Sequence, residues 1–307
     1  MNKSNYELYL GDTIQVIKNQ LNGREIDMIF TSPPYFDLRK NYSGKSDGVV
    51  GNVSPDEYAD WFLNFTESFL NVLTPNGSFF LNINDKIIDG EVHPVIDELK
   101  MKMRKQGWKL VAKPYIWYKK QAMPSKCAYR AIDRYEYVFH FSNTTTPKFY
   151  PENCKVPYAK STIKRFDNPV PTIGSRDGEL KYVKKEANEG GSLPHNVVTC
   201  AAESNPSILH PAPFTVELAD WFVKIGSKVG DMVLDPFCGS GSSGIASLKN
   251  GRNFVGIDLM EFNIEFSEKR FEHFLDTGNE YIAKKLLESY GLDVNHYKVK
   301  GKHENFK

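Results

Sequence analysis

The chain has 307 residues, of which 40% are hydrophobic and 25% charged, and its formal net charge is +1. This length allows one large α/β domain with an insertion, and the balanced charge excludes a globally basic nucleic-acid binder. No apolar run reaches membrane-spanning length, the start is not a signal peptide, and the four cysteines lack metal-ligand spacing. We expect a cytoplasmic protein with free thiols and without a bound metal.

The first 35 residues contain two predicted strands. Tyr6 to Gly11 predicts the first, and Asp12 or Thr13 follows it as the cap of a helix over Thr13 to Leu21. Asp27 to Phe30 predicts the second. It ends at Thr31-Ser-Pro-Pro-Tyr35, the proline turn, because proline lacks an N–H and fixes φ. This turn offers a hydroxyl, a carbonyl and a ring at the carboxyl edge of a sheet, and such a set suits a planar substrate with an amino group.

A polar connection and a βαβ unit come next. Phe36 to Asn52 contains Arg39 and Lys40, and its length and composition indicate a functional loop rather than a plain surface connection. Ser54-Pro-Asp-Glu57 begins a helix whose aromatic stripe is expected in the core. Ser78 to Ile83 predicts a buried strand.

The following elements extend the predicted sheet. Val92 to Gly107 predicts a helix with a basic, solvated side. Trp108 to Tyr118 and Tyr135 to Phe141 are rich in β-branched and aromatic residues and predict an antiparallel hairpin. Its basic loop, which starts at Lys119 and Lys120, offers cations for phosphate groups.

Periodicity fades between Thr144 and Asn205. From Lys155 to Lys185 there are eight basic residues and three acidic ones, with aromatic residues between them. A locally basic segment in a nearly neutral protein indicates phosphate binding; a solvated surface loop is the alternative. No helix-in-groove motif is present in this segment, so the sequence does not identify the bases that the segment would recognise.

The C-terminal third indicates a nucleoside cofactor. Met232 to Asp235 predicts a strand, and the glycine turn (Asp235–Gly241) follows it with a Gly-x-Gly pattern before a helix. Such a turn alone is a weak signal. However, Asn253 to Asp258 predicts a second strand with an acidic tip, placed to accept both hydroxyls of a ribose. The helix after Glu261 is expected to pack on the sheet.

The proline turn followed by the glycine turn resembles the amino-group DNA methyltransferases of the permuted class, in which the catalytic motif precedes the cofactor motif. Further matches are Gly11-Asp12, Asn76-Gly-Ser-Phe-Phe-Leu81, His210-Pro-Ala-Pro-Phe214 and Gly256-Ile-Asp258. The first match implies that Asp12 lies beside the cofactor adenine, a role that is compatible with capping the helix. Ser242-Ser243 replaces the usual two threonines and keeps both hydroxyls. The resemblance covers nearly the whole chain outside residues 144 to 194.

This resemblance implies a doubly wound, mostly parallel α/β sheet of the Rossmann-like S-adenosylmethionine-dependent methyltransferase type, with an antiparallel terminal hairpin and an inserted recognition region. It divides the chain into a catalytic half (1–143), a target-recognition region (144–205) and a cofactor-binding half (206–307). S-adenosylmethionine is the implied cofactor and double-stranded DNA the substrate, in a restriction-modification system. A companion restriction endonuclease and a homodimer are the further partners that it suggests.

Three sets of site residues follow from the motifs. The catalytic set is Ser32, Pro33, Pro34 and Tyr35. The cofactor set is Asp12, Thr31, Pro213, Phe214, Asp235, Pro236, Phe237, Gly239, Ser240, Gly241 and Asp258. The DNA-binding set is Arg39, Lys40, Lys119, Lys120, Lys160, Lys164, Arg165 and Arg176.

The expected reaction is a direct methyl transfer to an exocyclic amine. A flipped-out base would stack on Tyr35 while its amino group donates to Ser32 and to the Pro33 carbonyl. Cys238 lies in the glycine turn rather than in a Pro-Cys loop, which disfavours methylation of a cytosine ring carbon. The resemblance implies cytosine N4, because Ser32 stands where Asp or Asn would indicate adenine N6. The chemistry alone does not choose, since a hydroxyl can accept from either amine.

Two different functions are also compatible with the sequence. One is that of a non-catalytic DNA-binding subunit that keeps the fold, although the intact motifs argue against it. The other is that of an enzyme that methylates RNA or protein, which the basic segment does not exclude.

Overall fold

The computed structural model describes residues 5–34, 53–121, 128–167, 172–173, 180–181, 187–202 and 214–293. The chain forms two compact units, of which the larger comprises residues 1–149 and 196–307 and the smaller residues 150–195. Among the described residues, no helix has both the length and the apolar character needed to cross a membrane.

Thirteen strands and eight α-helices occur in the described parts of the chain. The strands are β1 (Tyr6–Leu10), β2 (Ile26–Thr31), β3 (Leu73–Ile83), β4 (Lys86–Ile88), β5 (Glu91–His93), β6 (Lys109–Leu110), β7 (Tyr115–Lys119), β8 (Tyr135–Ser142), β9 (Thr172–Ile173), β10 (Leu180–Lys181), β11 (Val197–Cys200), β12 (Met232–Asp235) and β13 (Asn253–Asp258). The α-helices are α1 (Thr13–Gln20), α2 (Pro55–Leu70), α3 (Val95–Gln106), α4 (Lys160–Asp167), α5 (Val216–Gly226), α6 (Ser242–Lys249), α7 (Glu261–Thr277) and α8 (Lys284–Ser289). One 3₁₀ helix spans Pro151–Cys154.

The larger unit is built on one sheet with the strand order β1-β13-β12-β2-β3-β8-β7-β11, and β6 pairs with β8 as well. Strand β8 is antiparallel to β3 and β7, whereas the other neighbours along this order are parallel. The carboxyl ends of all these parallel strands therefore meet at one edge, which we call the carboxyl edge. The predicted mostly parallel α/β fold class is confirmed.

Helices cover both faces of this sheet, since successive strand residues point to opposite sides. Ile29 and Phe79 belong to the core under α1, α2 and α3. Their neighbours Phe30 and Phe80 face α5, where the Phe222 ring lies 5.2 Å and 5.1 Å from theirs. Burial on both faces explains why β2 and β3 consist largely of apolar residues.

Three local predictions were wrong. Helix α3 begins at Val95 rather than Val92, because β4 and β5 form a hairpin with Asp89 and Gly90 at positive φ in its turn. The predicted strand over residues 108–118 is divided into β6 and β7, and Pro114, which cannot donate a ladder hydrogen bond, lies between them. Strand β11 was not predicted; it pairs with β7, so the hairpin is not the last element of the sheet.

The smaller unit contains α4 and the antiparallel pair β9–β10. Its described parts are joined by a bridge between Val156 and Ser192 and by a hydrogen bond of 3.1 Å from the Asn188 N–H to the Tyr158 hydroxyl. The Tyr158 ring also lies 5.1 Å from that of Phe166. This unit falls within the predicted recognition region, whose bounds at 144 and 205 stay a prediction.

Candidate active site

The proline turn and the glycine turn begin side by side at the carboxyl edge. Strands β2 and β12 are parallel neighbours, with Ile29 opposite Leu234. The last residues of the two strands, Thr31 and Asp235, are consequently adjacent, and the Thr31 Oγ1 donates to Asp235 Oδ1 at 2.6 Å. The sequence prediction that these two distant motifs meet at one edge is confirmed.

Asp235 accepts hydrogen bonds from both turns. Besides Thr31, the Phe237 N–H donates to Oδ1 at 3.1 Å, and the Ser243 hydroxyl of α6 donates to Oδ2. Thr31, Asp235 and Ser243, here called the Asp235 cluster, have no exposed surface. Burial raises the pKa of Asp235 to about 6, although the bonds from Ser243 and Thr31 act in the opposite direction. The predicted cofactor contacts of Thr31 and Asp235 stay predictions, since both side chains are enclosed by protein.

The glycine turn requires its glycines. Gly239 and Gly241 have φ values of 54° and 75°, in the left-handed region that side chains disfavour. A Cβ on Gly241 would also lie 2.7 Å from the Phe271 ring. From behind the turn, the fully buried Arg270 donates to the Ser240 carbonyl at 2.7 Å. Arg270 was not predicted, because an arginine in an amphipathic helix usually faces solvent.

Asp258 ends β13, and Asp12 lies two residues after the end of the neighbouring strand β1, at the same edge because β1 pairs with β13 in parallel. Asp258 accepts from the N–H groups of Gly239 at 2.8 Å and Met260 at 2.9 Å, and from the Asn263 amide at 2.9 Å. Asp12 accepts from the Gln15 N–H at 3.0 Å, which confirms its interpretation as the cap of α1. The Asp258 carboxylate beside the glycine turn suits a ligand with ribose hydroxyls. The cofactor contacts of Asp258, and that of Asp12 with the adenine, stay predictions.

Helix α2 holds the proline turn in place. Ser32 is half-buried, whereas Pro33 and Pro34 are buried. The hydroxyl of Tyr58, itself fully buried, donates to the Pro34 carbonyl at 3.0 Å. Sequence reasoning placed Tyr58 only in the core stripe, since the helical pattern does not show where a hydroxyl points. Tyr35 lies outside the described residues.

The other predicted cofactor residues lie around the two turns. The Phe214 ring is 4.9 Å from that of Phe30, and the Pro236 carbonyl accepts from the Thr13 hydroxyl at 2.6 Å. The Phe237 ring lies 5.2 Å from that of Phe65 in the core. Pro213 lies outside the described residues.

Cys238 is a protonated thiol inside the glycine turn. It is buried, and burial raises the pKa of its thiol well above the ordinary value. A thiol that stays protonated is a poor nucleophile, so Cys238 does not suit the role of the attacking cysteine that methylation of a ring carbon would need. Cys154 and Cys200 are buried free thiols as well, whereas Cys127 lies outside the described residues.

The described cations of the predicted DNA-binding set differ in their exposure and in whether a carboxylate pairs with them. At the carboxyl edge, Lys119 pairs with Glu136 and lies 4.7 Å above the Trp117 ring, whereas Lys120 is exposed. On α4, the exposed Lys160 and Lys164 are four residues apart and therefore share one face of the helix. Arg165 belongs to α4, and its side chain is not described. Arg39, Lys40 and Arg176 lie outside the described residues.

Comparisons with known proteins agree with this arrangement. The family model described as DNA methylase, of the N6/N4 methyltransferase type, matches residues 26–269. The Type II methyltransferase M.PvuII of Proteus hauseri is 25% identical, over 95% of this chain and 92% of that protein. M2.DpnII of Streptococcus pneumoniae is 26% identical, over 88% and 91%.

Two solved structures have a similar fold. The PvuII DNA methyltransferase (cytosine-N4-specific) superposes with a TM-score of 0.67 at 22% identity, over 97% of this chain and 94% of that one. The complex of M1.HpyAVI with S-adenosylmethionine superposes with a TM-score of 0.53 at 19% identity, over 86% and 99%.

Proposed function

The chain belongs to the N6/N4 DNA methylase family, and from this premise we propose that it methylates the N4 amine of cytosine in double-stranded DNA. The observation that carries the proposal is the position of Ser32. Its half-buried hydroxyl follows the end of β2, beside the glycine turn that is expected to hold S-adenosylmethionine. The resemblance associates a serine in front of Pro33-Pro34 with cytosine N4, and the relative M.PvuII bears the description cytosine-N4-specific in its solved structure. Adenine N6 is the second candidate.

Residues on both sides of the glycine turn suit S-adenosylmethionine. The carboxylate of Asp258 would accept its ribose hydroxyls, Asp12 would lie beside its adenine, and the left-handed Gly239 lets a ligand approach the backbone closely. When bound, this cofactor supplies a methyl group that its sulfonium has already activated. The protein therefore has to position the acceptor amine rather than to create a strong nucleophile.

Ser32 and the proline turn would do this positioning. The Ser32 hydroxyl and the Pro33 carbonyl accept hydrogen bonds from the exocyclic amine of a flipped-out base, and the Tyr35 ring stacks on that base. The hydrogen bond from Tyr58 to the Pro34 carbonyl keeps the turn rigid. Such rigidity favours catalysis because misplacing reacting groups by about 1 Å can lower a rate about 10²-fold.

The biological setting proposed is a restriction-modification system. Several relatives are named Type II methyltransferases, and the chain covers 92% of M.PvuII and 91% of M2.DpnII. We infer a companion endonuclease that cleaves the same site when it is unmethylated. Lys120 at the carboxyl edge and Lys160 with Lys164 on α4 are the described cations proposed to contact DNA phosphates.

Mass spectrometry of nucleosides from methylated DNA tests the proposal. We expect N4-methylcytosine, and Ser32→Ala should lower its formation about 10²-fold. Ser289→Ala, at an exposed position of α8, is the matched control and should retain the wild-type rate. N6-methyladenine as the sole product would refute the cytosine assignment.

Two further measurements test the substrate class and the presence of catalysis. If duplex RNA outcompeted duplex DNA as methyl acceptor, the substrate class would be wrong. A protein that binds DNA without taking up S-adenosylmethionine in calorimetry would be a non-catalytic DNA-binding subunit instead.

A further inference from the structure

The Asp235 cluster joins the two halves of the proposed site. Thr31 is the last residue of β2 and directly precedes Ser32, while Ser243 lies in the first turn of α6, just after Gly241. Both donate to the carboxylate of Asp235, the last residue of β12. One buried carboxylate thus connects the strand that leads to the proline turn with the helix that follows the glycine turn.

The cluster is closed to ligands. None of its three side chains has exposed surface, and the carboxylate already accepts from Thr31, Ser243 and the Phe237 N–H. A ligand could reach Asp235 only after one of these groups had moved. Satisfied buried networks of this kind specify geometry, because leaving any member without its partner is costly.

We propose that Thr31 and Asp235 are positioning residues, which fix the spacing between the amine-binding turn and the cofactor-binding turn and contact neither substrate. This inference rests on the proposed function, and it replaces direct cofactor binding as the role of both side chains. Each turn would still bind its own ligand without the cluster. What would be lost is the alignment of one ligand with the other, so the effect should appear in kcat rather than in affinity.

Thr31→Val removes the hydroxyl and nearly keeps the shape of the side chain. We expect kcat to fall at least 10-fold, while the calorimetric Kd for S-adenosylmethionine and the KM for DNA stay within about 3-fold of wild type. Thr31→Ser restores the donor and should recover most of kcat.

Thr66→Val is the matched control, because Thr66 is equally buried and donates to Gln106 Oε1 at 2.6 Å on the remote contact of α2 with α3. It should retain kcat within 2-fold. Equal kcat values for Thr31→Val and Thr66→Val would overturn the proposal. A weaker affinity of Thr31→Val for S-adenosylmethionine would overturn it as well.

Asp235→Asn provides a test that does not depend on Thr31. The amide oxygen can replace Oδ1 and accept from Thr31 and Phe237, and the amide N–H can donate to Ser243, whose hydroxyl then accepts. The variant keeps the connections and loses only the charge, so we expect kcat to fall less than in Thr31→Val, and the cofactor Kd to stay within about 3-fold of wild type. A 10-fold loss of cofactor affinity would show that the charge itself acts on the ligand, against the proposal.

The wild-type protein distinguishes this inference from the proposed function. If it transfers no methyl group to any DNA, the proposed function fails first. If it transfers methyl groups and the Thr31 variants behave like the control, only the positioning role fails.

Discussion

Gly241→Ala should lower the free energy of unfolding through two effects, backbone strain in the glycine turn and overpacking against Phe271. Holding an alanine at φ 75° costs about 1–2 kcal/mol. The new Cβ would also lie 2.7 Å and 2.8 Å from Cε1 and Cζ of Phe271. That ring is fully buried, with the rings of Tyr6 and Phe254 at 5.1 Å and 5.7 Å, so it has little room to move. Overpacking of this kind adds about 1–3 kcal/mol, for a total of about 2–5 kcal/mol.

Gly278→Ala isolates the backbone effect. Gly278 has a φ of 73°, and a Cβ there meets nothing within 4 Å. Urea unfolding of the two variants should therefore differ by about 1–3 kcal/mol, the overpacking part alone. In a double-mutant cycle, Phe271→Leu should reduce the cost of Gly241→Ala, since the two residues are in contact. Equal destabilisation by the two alanine variants would refute the reasoning that Phe271 obstructs a side chain at Gly241.

Two further predictions concern pH and salt. Burial lowers the pKa of His140 to about 3, below its unfolded value, so the stability present above pH 6.5 declines as the pH falls towards 3. At pH 5 the free energy of unfolding is lower by about 2 kcal/mol for this reason. The urea midpoint therefore falls between pH 7 and pH 5, and His140→Phe should remove the part of that fall that His140 causes. An unchanged fall in the variant would contradict the prediction. Replacing Lys160 and Lys164 by Gln should make log K for DNA less dependent on log salt concentration, with a slope smaller by about 1.8. Lys155 already pairs with Glu152 at 2.5 Å, so Lys155→Gln is the control and should change that slope by less than half as much.

Much of the central sheet was predictable because its strands are buried on both faces. β2, β12 and β13 appear in the sequence as short, nearly continuous apolar runs that end at a turn signal. The hairpin β4–β5 and the edge strand β11 lack such runs, although Asp89-Gly90 is a hairpin-turn signal and Pro114 a strand-breaking signal. Their residues are partly exposed, and their strand character depends on which neighbour each segment pairs with.

The positions of the two turns in the site were predictable from the sequence, but the side chains that support them were not. Motif order placed the proline turn and the glycine turn at strand ends, and Asp12 and Asp258 were expected there too. The roles of Tyr58, Arg270 and Ser243 were not predictable, because a helical pattern shows which face is buried but not which backbone group a side chain reaches.

The strand order explains why the Asp235 cluster exists at all. Parallel strands guarantee only that two strand ends share an edge; that edge also contains the ends of β1, β3, β7 and β11. Thr31 and Asp235 meet because β2 and β12, which are distant in the chain, are direct neighbours, and because Ile29 is opposite Leu234 in their register. A shift of this register by one residue would point each side chain to the other face and separate the hydroxyl from the carboxylate. The alignment of the two turns is therefore a property of one strand pairing, and Thr31→Val tests that pairing at its functional end.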